Sequence, residues 1–233
     1  MTLSVGIVVP TLNASAFLPN LLSSLETSAS HYPRLWVHFQ DGASTDDTMA
    51  LVTNWCELVS EAPNIITTWD VEKDRGPAQA LNRGFKVVDT DILTWIGSDD
   101  LLMPQGPKLA ADFFTALPDQ HWITGLRTQV DEEGKFLRLG FPWEIAPAPS
   151  GFSQKQLSRG LHGSRWRGFV QQEGTFWTRH AWETIGGYLN DDLSLAFDFE
   201  LWCRFAHYFP LVQVLEPLGA FRKRRGQLSA ARG

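Results

Sequence analysis

The sequence predicts an α/β fold with a mostly parallel central sheet and helices on both faces. In the first hundred residues, strand-like stretches rich in β-branched and aromatic residues alternate with stretches of helical periodicity. Such βαβ alternation is typical of a parallel sheet. Three polar clusters, "PTLN", "QDGASTDDT" and "GSDD", each directly follow a predicted strand. Ligands of such sheets bind beyond the carboxyl ends of the strands, so the clusters indicate one shared binding site.

Each element of this half has a local reason. The strands are short runs dense in Val, Ile, Phe and Trp, which suit a pleated, buried surface. The first helix has apolar side chains at helical spacing, the second follows a Ser-Thr capping pair, and the third is amphipathic. In chain order, the predicted strands are Ser4–Val9, Leu35–Phe39, Ile65–Trp69 and Ile92–Ile96, and the predicted helices between them are Ala16–Thr27, Asp46–Trp55 and Ala78–Val88.

The pattern becomes less regular after Pro104. We expect another helix, a hairpin around the turn "DEEG", a loop rich in Pro and Gly, and two late helices. These elements are predicted at Pro104–Leu117, Trp122–Val130 with Lys135–Leu139, Phe141–Gly151, Arg179–Ile185 and Asp198–Tyr208. Neither a repeat nor a low-complexity linker is visible, so we expect one domain over 1–233, with halves at about 1–103 and 104–233.

Composition argues against several classes of protein. The chain is 43% hydrophobic, enough for a sizeable core, and most of its ten Trp are expected inside that core. A net charge of −6 argues against a nucleic-acid partner. Two solitary cysteines, Cys56 and Cys203, favour a reducing compartment over a disulfide or zinc site. The first residues make a poor signal peptide and no apolar run approaches roughly 18 residues, which predicts a cytoplasmic location.

Two adjacent carboxylates, Asp99 and Asp100, end the "GSDD" cluster. Acids in this position can simply favour a helix N-terminus through its dipole. They can also bind Mg²⁺ or Mn²⁺, which proteins hold through one or two carboxylates together with substrate phosphates. A cation would offset the repulsion between the neighbouring charges. From the residues alone, both interpretations stay open.

The remaining clusters are equally ambiguous when each is taken alone. Asp41 is either a turn residue or an acceptor for hydrogen bonds from a nucleobase. Asn82 lies inside a predicted helix, where helix propensity does not explain it. In "FDFELW", Asp198 and Glu200 are either first-turn acids of a surface helix or include a general base. Residues two apart on a helix point to different sides, so one site would use only one of them.

Six stretches taken together resemble the inverting family 2 glycosyltransferases, which are nucleotide-sugar enzymes with the GT-A fold. They are "VVPTLNAS", "DGASTDDT", "EKDRGPAQALNRG", "WIGSDD", "QQEGTFWTRHAWETIGGY" and "FDFELWCRFA". Each is weak alone, but six in this order and spacing are specific, and the resemblance extends from about Val8 to Ser229. It implies a Rossmann-like half that binds the nucleotide sugar, followed by a half that binds the acceptor and carries the base.

For the donor, a nucleotide-diphospho-sugar that is UDP-linked by analogy, the resemblance implies four contacts. Thr11 and Asp41 would line the nucleoside pocket, with Asp41 facing the base. Asp74 and Arg75 would lie beside the base and the ribose. No glycine-rich dinucleotide motif or P-loop competes with this assignment.

For the cation and the acceptor, the resemblance implies roles in both halves. Asp99 would contact the ribose or the metal, and Asp100 would bind the Mn²⁺ or Mg²⁺ that bridges the diphosphate. Asp198 matches the catalytic base. Glu173 and Trp177 fall in the segment that would meet the acceptor, a glycan or a lipid-linked glycan as in polysaccharide biosynthesis.

Three positions depart from the family pattern. Gly97 replaces the first acid of the D-x-D motif, Phe197 stands where relatives often have Glu, and Arg224 stands where they commonly have a metal-binding His. An Arg cannot ligate a cation, but its planar fork suits phosphate, so we expect Arg224 to contact the diphosphate. Lys223 or Arg225 takes this role if the register shifts by one. The run "RKRR" is otherwise a solvated basic segment or a site of peripheral contact with anionic lipid.

Two other functions compete with sugar transfer. A sugar nucleotidyltransferase also combines a Rossmann-like half with Mg²⁺, but it usually opens with a glycine-rich basic loop that "VVPTLNAS" lacks. A non-catalytic nucleotide-sugar-binding module would need no base. Release of a nucleoside diphosphate during transfer separates the three functions.

Overall fold

Two sheets organise the chain. The structure, a computed structural model, describes residues 2–140, 154–160 and 170–224. The strands in these ranges are β1 (Val5–Thr11), β2 (Leu35–Asp41), β3 (Ile65–Val71), β4 (Ile92–Trp95), β5 (Leu101–Leu102), β6 (Trp122–Thr124), β7 (Thr128–Val130), β8 (Phe136–Leu139), β9 (Thr175–Thr178), β10 (Val212–Gln213) and β11 (Gly219–Arg222). The larger sheet has the order β10-β6-β9-β4-β1-β2-β3, and the smaller has the order β5-β11-β7-β8.

The parallel part of the larger sheet is the one that the sequence predicts. Strands β4, β1, β2 and β3 are neighbours and all run in the same direction. Strand β9 then runs antiparallel between β4 and β6. The carboxyl ends of β1, β2 and β4 therefore lie along one edge, and the loops that follow them lie side by side.

The helices in the described ranges, apart from the short helix Gln154–Ser158, also follow the prediction, with small shifts at their ends. They are α1 (Leu18–His31), α2 (Thr48–Val59), α3 (Pro77–Val87), α4 (Gly106–Ala116), α5 (Gln154–Ser158), α6 (Arg179–Thr184) and α7 (Phe197–Tyr208). Proline occupies the first turn of α1, α3 and α4, where its missing N–H has no helical partner to lose.

Helices cover both faces of the sheet, as the alternation of side chains along β1 shows. Val5, Ile7 and Val9 pack into a core with α1 and α2. Val8 points to the opposite face and packs into a second core with α3, α6 and α7. Successive side chains of a strand point to opposite faces, so a strand with apolar residues at consecutive positions needs cover on both.

The second core is mainly aromatic, as the Trp content predicts. Trp95 stacks on Trp202 with 5.8 Å between ring centroids, and Trp122 stacks on Trp202 at 5.7 Å. Trp177 meets Trp95 edge-on at 5.4 Å. Trp182 completes the group and is also buried.

The predicted strand Trp122–Val130 is wrong in its length, because the chain leaves the larger sheet at Gly125. A Cβ at this position would lie 2.7 Å from the carbonyl oxygen of Glu216. The chain therefore divides into β6, in the larger sheet, and β7, in the smaller one. The predicted hairpin is confirmed, since β7 pairs antiparallel with β8.

Several elements have no prediction from the sequence. Strands β5, β9, β10 and β11 are two to four residues long, too short for a periodic pattern to reveal them. The predicted loop Phe141–Gly151 lies outside the described residues. Within the described ranges, no helix has the length and the apolar composition needed to cross a membrane.

Candidate active site

A cavity of about 560 Å³ opens beyond the carboxyl ends of β1 and β4. Its walls come from the segment after β1, the loop before α3, the "GSDD" turn, the turn before β9 and the segment that leads into α7. It brings together six of the residues predicted from the sequence: Thr11, Asp74, Asp99, Glu173, Asp198 and Arg224. Residues far apart in the chain thus meet at the edge of the sheet where a ligand was expected.

Asp41 lies behind the wall of the cavity and has no exposed surface. Its carboxylate accepts hydrogen bonds from the hydroxyl of Thr11 (2.7 Å), from the backbone N–H of Ser44 (2.7 Å) and from the Ser44 hydroxyl (2.6 Å). The adjacent Ala43 has a left-handed backbone, with φ of 70°. Asp41 therefore organises the loop after β2, and Thr11 is the member of this network that reaches the cavity.

The two residues of the "DR" pair point in different directions. Asp74 lines the cavity and accepts the backbone N–H of Gly76 at 2.8 Å. Arg75 is not among the lining residues: its side chain is 70% exposed and pairs with Asp191 at 3.0 Å. The ion pair links the loop before α3 to the segment before α7, which is not a role that the sequence suggests.

The adjacent carboxylates of "GSDD" also separate. Asp99 faces the cavity, whereas Asp100 is buried, and its Oδ1 accepts the backbone N–H of Arg222 at 2.8 Å. Burial raises the pKa of Asp100 well above the ordinary carboxyl range, and the charges of Glu173 and Asp99 raise it further. A Cβ at Gly97 would lie 2.5 Å from Oδ2 of Asp100. The missing first acid of the motif thus leaves room for this inward orientation.

The basic run contributes Arg224 to the wall of the cavity. Arg222 is 1% exposed, and its guanidinium donates to the carbonyl oxygens of Asp99 (2.5 Å) and Glu132 (2.6 Å). Arg224 donates from Nε to Oδ2 of Asp99 at 2.6 Å. Both guanidinium groups lie over the ring of Phe17, at 5.4 and 5.2 Å from its centroid. Lys223 is exposed, and Arg225 lies outside the described residues.

Asp198 and Glu173 form the acidic side of the cavity. Asp198 is half-buried in the first turn of α7. Burial raises its pKa, and the backbone N–H groups of Phe199 and of Asp198 itself lower it. Glu173 is buried, and burial, with smaller contributions from the charges of Asp198 and Asp99, raises its pKa to about 7. Glu200 points elsewhere, because its two oxygens accept Nε and Nη2 of Arg204 at 2.7 and 2.9 Å.

Trp177 does not reach the cavity. It has no exposed surface and lies in the aromatic core, 5.8 Å from the ring of Phe85. A side chain enclosed by other rings cannot touch an acceptor, so this position corrects the expectation that Trp177 binds substrate. The neighbouring Gln172 does line the cavity, and its side-chain amide donates to the carbonyl of Trp95 at 2.5 Å.

Phe17 and Arg222 support Asp99 and Arg224 from outside the cavity, and the sequence does not predict either role. Phe17 immediately precedes α1, and the guanidinium groups of Arg222 and Arg224 lie over its ring. Arg222 was one of four basic residues in a row. The apolar residues before it, "GAF", are the available signal that a buried strand continues into this run.

The residues present fit a divalent cation that arrives with its phosphate ligands. Among the described residues, no three His, Cys, Asp or Glu side chains converge to form a complete metal cage. Asp99 nevertheless offers a carboxylate to the cavity. Mg²⁺ and related ions keep several waters and commonly bind through one or two carboxylates plus substrate phosphates. The donor set suits that arrangement.

Comparisons with known proteins agree with this architecture. The family model for glycosyl transferase family 2 matches residues 6–176. No curated protein sequence matches the chain. Among solved structures, TarS 1–349 of S. aureus in complex with UDP-GlcNAc is 17% identical with a TM-score of 0.74, and the alignment covers 99% of this chain and 62% of that one.

A second solved structure is similar to the same degree. The mannosyltransferase PcManGT from Pyrobaculum calidifontis, in complex with GDP-Man and Mn²⁺, is 20% identical with a TM-score of 0.70, and the alignment covers 97% of this chain and 59% of that one. The chain thus spans less than two thirds of either protein. Because the family model extends over residues 6–176, well over half of the sequence, and the sheet order and the similar structures give the GT-A fold, this chain belongs to glycosyl transferase family 2.

Proposed function

We propose that the protein is an inverting glycosyltransferase that moves a sugar from a nucleotide-diphospho-sugar to a hydroxyl of a glycan or lipid-linked acceptor. The observation that carries the proposal is that Asp198, a carboxylate with a raised pKa, faces the same cavity as Asp99 and Arg224. Asp198 thus offers a base on one wall of the cavity, and Asp99 and Arg224 offer groups on the other wall that can bind a diphosphate and its cation. The similar structures, solved with UDP-GlcNAc and with GDP-Man, support a donor of this class.

The nucleoside would bind at the ends of β1 and β2. Thr11 and Asp74 supply polar atoms to the cavity. Asp41 acts from behind, because its carboxylate holds the Thr11 hydroxyl and the Ser44 loop in place. Arg75 acts indirectly as well, through its ion pair with Asp191 at the rim. A UDP-linked donor is the form that we test first.

The diphosphate would lie between Asp99 and Arg224. When bound there, Mn²⁺ or Mg²⁺ stabilises the negative charge that develops on the leaving diphosphate. Asp99 is the carboxylate that would hold the cation, and Asp100 supports it from below by fixing the turn to β11. This differs from the expectation that Asp100 is the main ligand. Arg224 would turn its planar, permanently charged fork from Asp99 toward the phosphate oxygens.

Asp198 would act as the general base. The acceptor oxygen attacks the anomeric carbon while its proton passes to the Asp198 carboxylate, and the bond between that carbon and the diphosphate oxygen breaks. A single displacement of this kind inverts the configuration. Burial favours this role, because a carboxylate with a raised pKa is a stronger base than one in water. Glu173 lies beside it on the acceptor side.

The test compares two acids of the same helix. The protein is incubated with UDP-, GDP- and dTDP-sugars, Mn²⁺ and a panel of glycan and lipid-linked acceptors, and release of nucleoside diphosphate is measured together with the shift in melting temperature. Asp198→Asn should keep the thermal shift and lose about a hundredfold or more in turnover. Glu200→Gln, whose residue pairs with Arg204 away from the cavity, should lose little. Binding without release in the wild type would favour a non-catalytic module, and equal losses in both variants would remove Asp198 from the mechanism.

A further inference from the structure

The side chain of Asn82 joins the two halves of the protein. Its Oδ1 accepts the backbone N–H of Leu189 at 2.7 Å, and its Nδ2 donates to the carbonyl oxygen of the same residue at 2.8 Å. Asn is disfavoured inside helices, yet Asn82 lies in the middle of α3. These two hydrogen bonds explain why an Asn occupies this position, which helix propensity does not.

Leu189 anchors the segment that leads to the proposed base. Its side chain has no exposed surface and packs in the same core as Leu81 and Phe85 of α3. The chain then continues along the rim of the cavity, where 194–198 contribute to its wall. The residue before α7, Ala196, has a left-handed backbone with φ of 60°, so the path to Asp198 departs from low-energy geometry. Such a conformation persists only when its surroundings hold it.

Helix α3 also forms part of the donor side of the cavity. Gly76, Pro77 and Ala80, at and just before its first turn, are lining residues. The same rigid element therefore contacts the space proposed for the sugar nucleotide and holds the backbone that carries Asp198. Catalysis by a general base depends strongly on the position of the base relative to the donor, since a displacement of the base by about 1 Å can lower the rate about a hundredfold.

We propose that Asn82 is a positioning residue, which keeps the segment bearing Asp198 in register with the donor side of the cavity by hydrogen bonding both polar groups of the Leu189 backbone. The proposal rests on the function proposed above for Asp198. An amide is required because the same planar group must accept from the N–H and donate to the C=O. The ion pair between Arg75 and Asp191 is a second link between these elements. It is largely exposed and contributes less, as surface ion pairs generally do.

The test uses three variants. Asn82→Ala removes both hydrogen bonds, and Asn82→Asp keeps the shape and the acceptor but loses the donor. Asn54→Ala is the matched control, because Asn54 is an exposed Asn within α2. Turnover is followed as nucleoside diphosphate release from UDP-GlcNAc or GDP-mannose with Mn²⁺. For Asn82→Ala we expect kcat to fall about tenfold or more while KM for the sugar nucleotide stays within about twofold, with Asn82→Asp between it and the wild type.

Amide hydrogen exchange supplies a readout that needs no turnover. In Asn82→Ala, peptides covering 186–198 should exchange faster, and peptides of β1 should not change. Equal effects on kcat and KM, unchanged exchange in 186–198, or a comparable loss in Asn54→Ala would overturn the proposal. If the wild type releases no nucleoside diphosphate from either sugar nucleotide, the proposed function fails instead, and the exchange of 186–198 still decides whether Asn82 holds this segment.

Discussion

The contact between Arg224 and Asp99 makes a quantitative prediction for nucleotide binding. Arg224→Ala removes a guanidinium whose Nε lies 2.6 Å from Oδ2 of Asp99, in a pair whose side chains are each 27% exposed. A hydrogen bond to a charged group contributes about 1.5–3 kcal/mol. When the Arg224 side chain turns to the phosphate, it gives up its partly exposed ion pair with Asp99, which stabilises the protein by up to about 1 kcal/mol. The hydrogen bond gained minus the ion pair lost leaves about 1.4 kcal/mol for UDP binding. Without Arg224, UDP affinity in EDTA should therefore fall roughly tenfold.

Calorimetric titration with UDP, in EDTA and then in Mn²⁺, measures this loss. In Mn²⁺ we expect a loss at least as large, because a cation on Asp99 releases Arg224 from its ion pair. Lys223→Ala is the matched control: it removes an adjacent positive charge from an exposed side chain. Unchanged UDP affinity in Arg224→Ala under both conditions, or an equal loss in Lys223→Ala, would refute the direct phosphate contact. Weaker binding to anionic vesicles alone would instead identify a lipid contact.

Three further predictions concern the walls of the cavity. Asp41→Ala should lower the free energy of unfolding by about 2–3 kcal/mol in urea denaturation, because one buried donor of Thr11 and two partly buried donors of Ser44 lose their acceptor. A change below about 0.5 kcal/mol would contradict this network. Ala196→Gly should be neutral or stabilise by up to about 1 kcal/mol, and Ala196→Val should destabilise, because the backbone φ is 60°; the reverse order in thermal unfolding would refute it. Glu173 has a pKa raised to about 7, so the folded state binds its proton more tightly than the unfolded state does, and stability should fall as pH rises from the ordinary carboxyl range through about 7. The free energy of unfolding of Glu173→Gln should therefore exceed that of the wild type at pH 8, and the difference should shrink toward pH 4. A difference that does not depend on pH would contradict the raised pKa of Glu173.

Local pattern was sufficient for the first half of the fold. Strands β1 to β4 and helices α1 to α3 each show their own periodicity within about ten residues, and parallel pairing with helices on both faces follows from their alternation. The position of the site followed as well, because loops after parallel strands meet at one edge. The order of six polar stretches was specific enough to indicate the family. The hydrophobic periodicity and the order of the polar stretches can both be read from the sequence, without any tertiary contact.

Orientation was decided only by tertiary contacts. Asp99 and Asp100 are chemically identical neighbours, and what separates them is a backbone N–H of β11, contributed from more than a hundred residues away. In the same way, β9 is buried between two other strands, so Trp177 is enclosed although its segment borders the cavity. Arg222 is the last residue of β11 and is buried, whereas Lys223 follows the strand and is exposed. Which way a side chain points depends on partners that fold in from distant segments, so residue type and spacing name the candidates for a site and long-range packing selects among them.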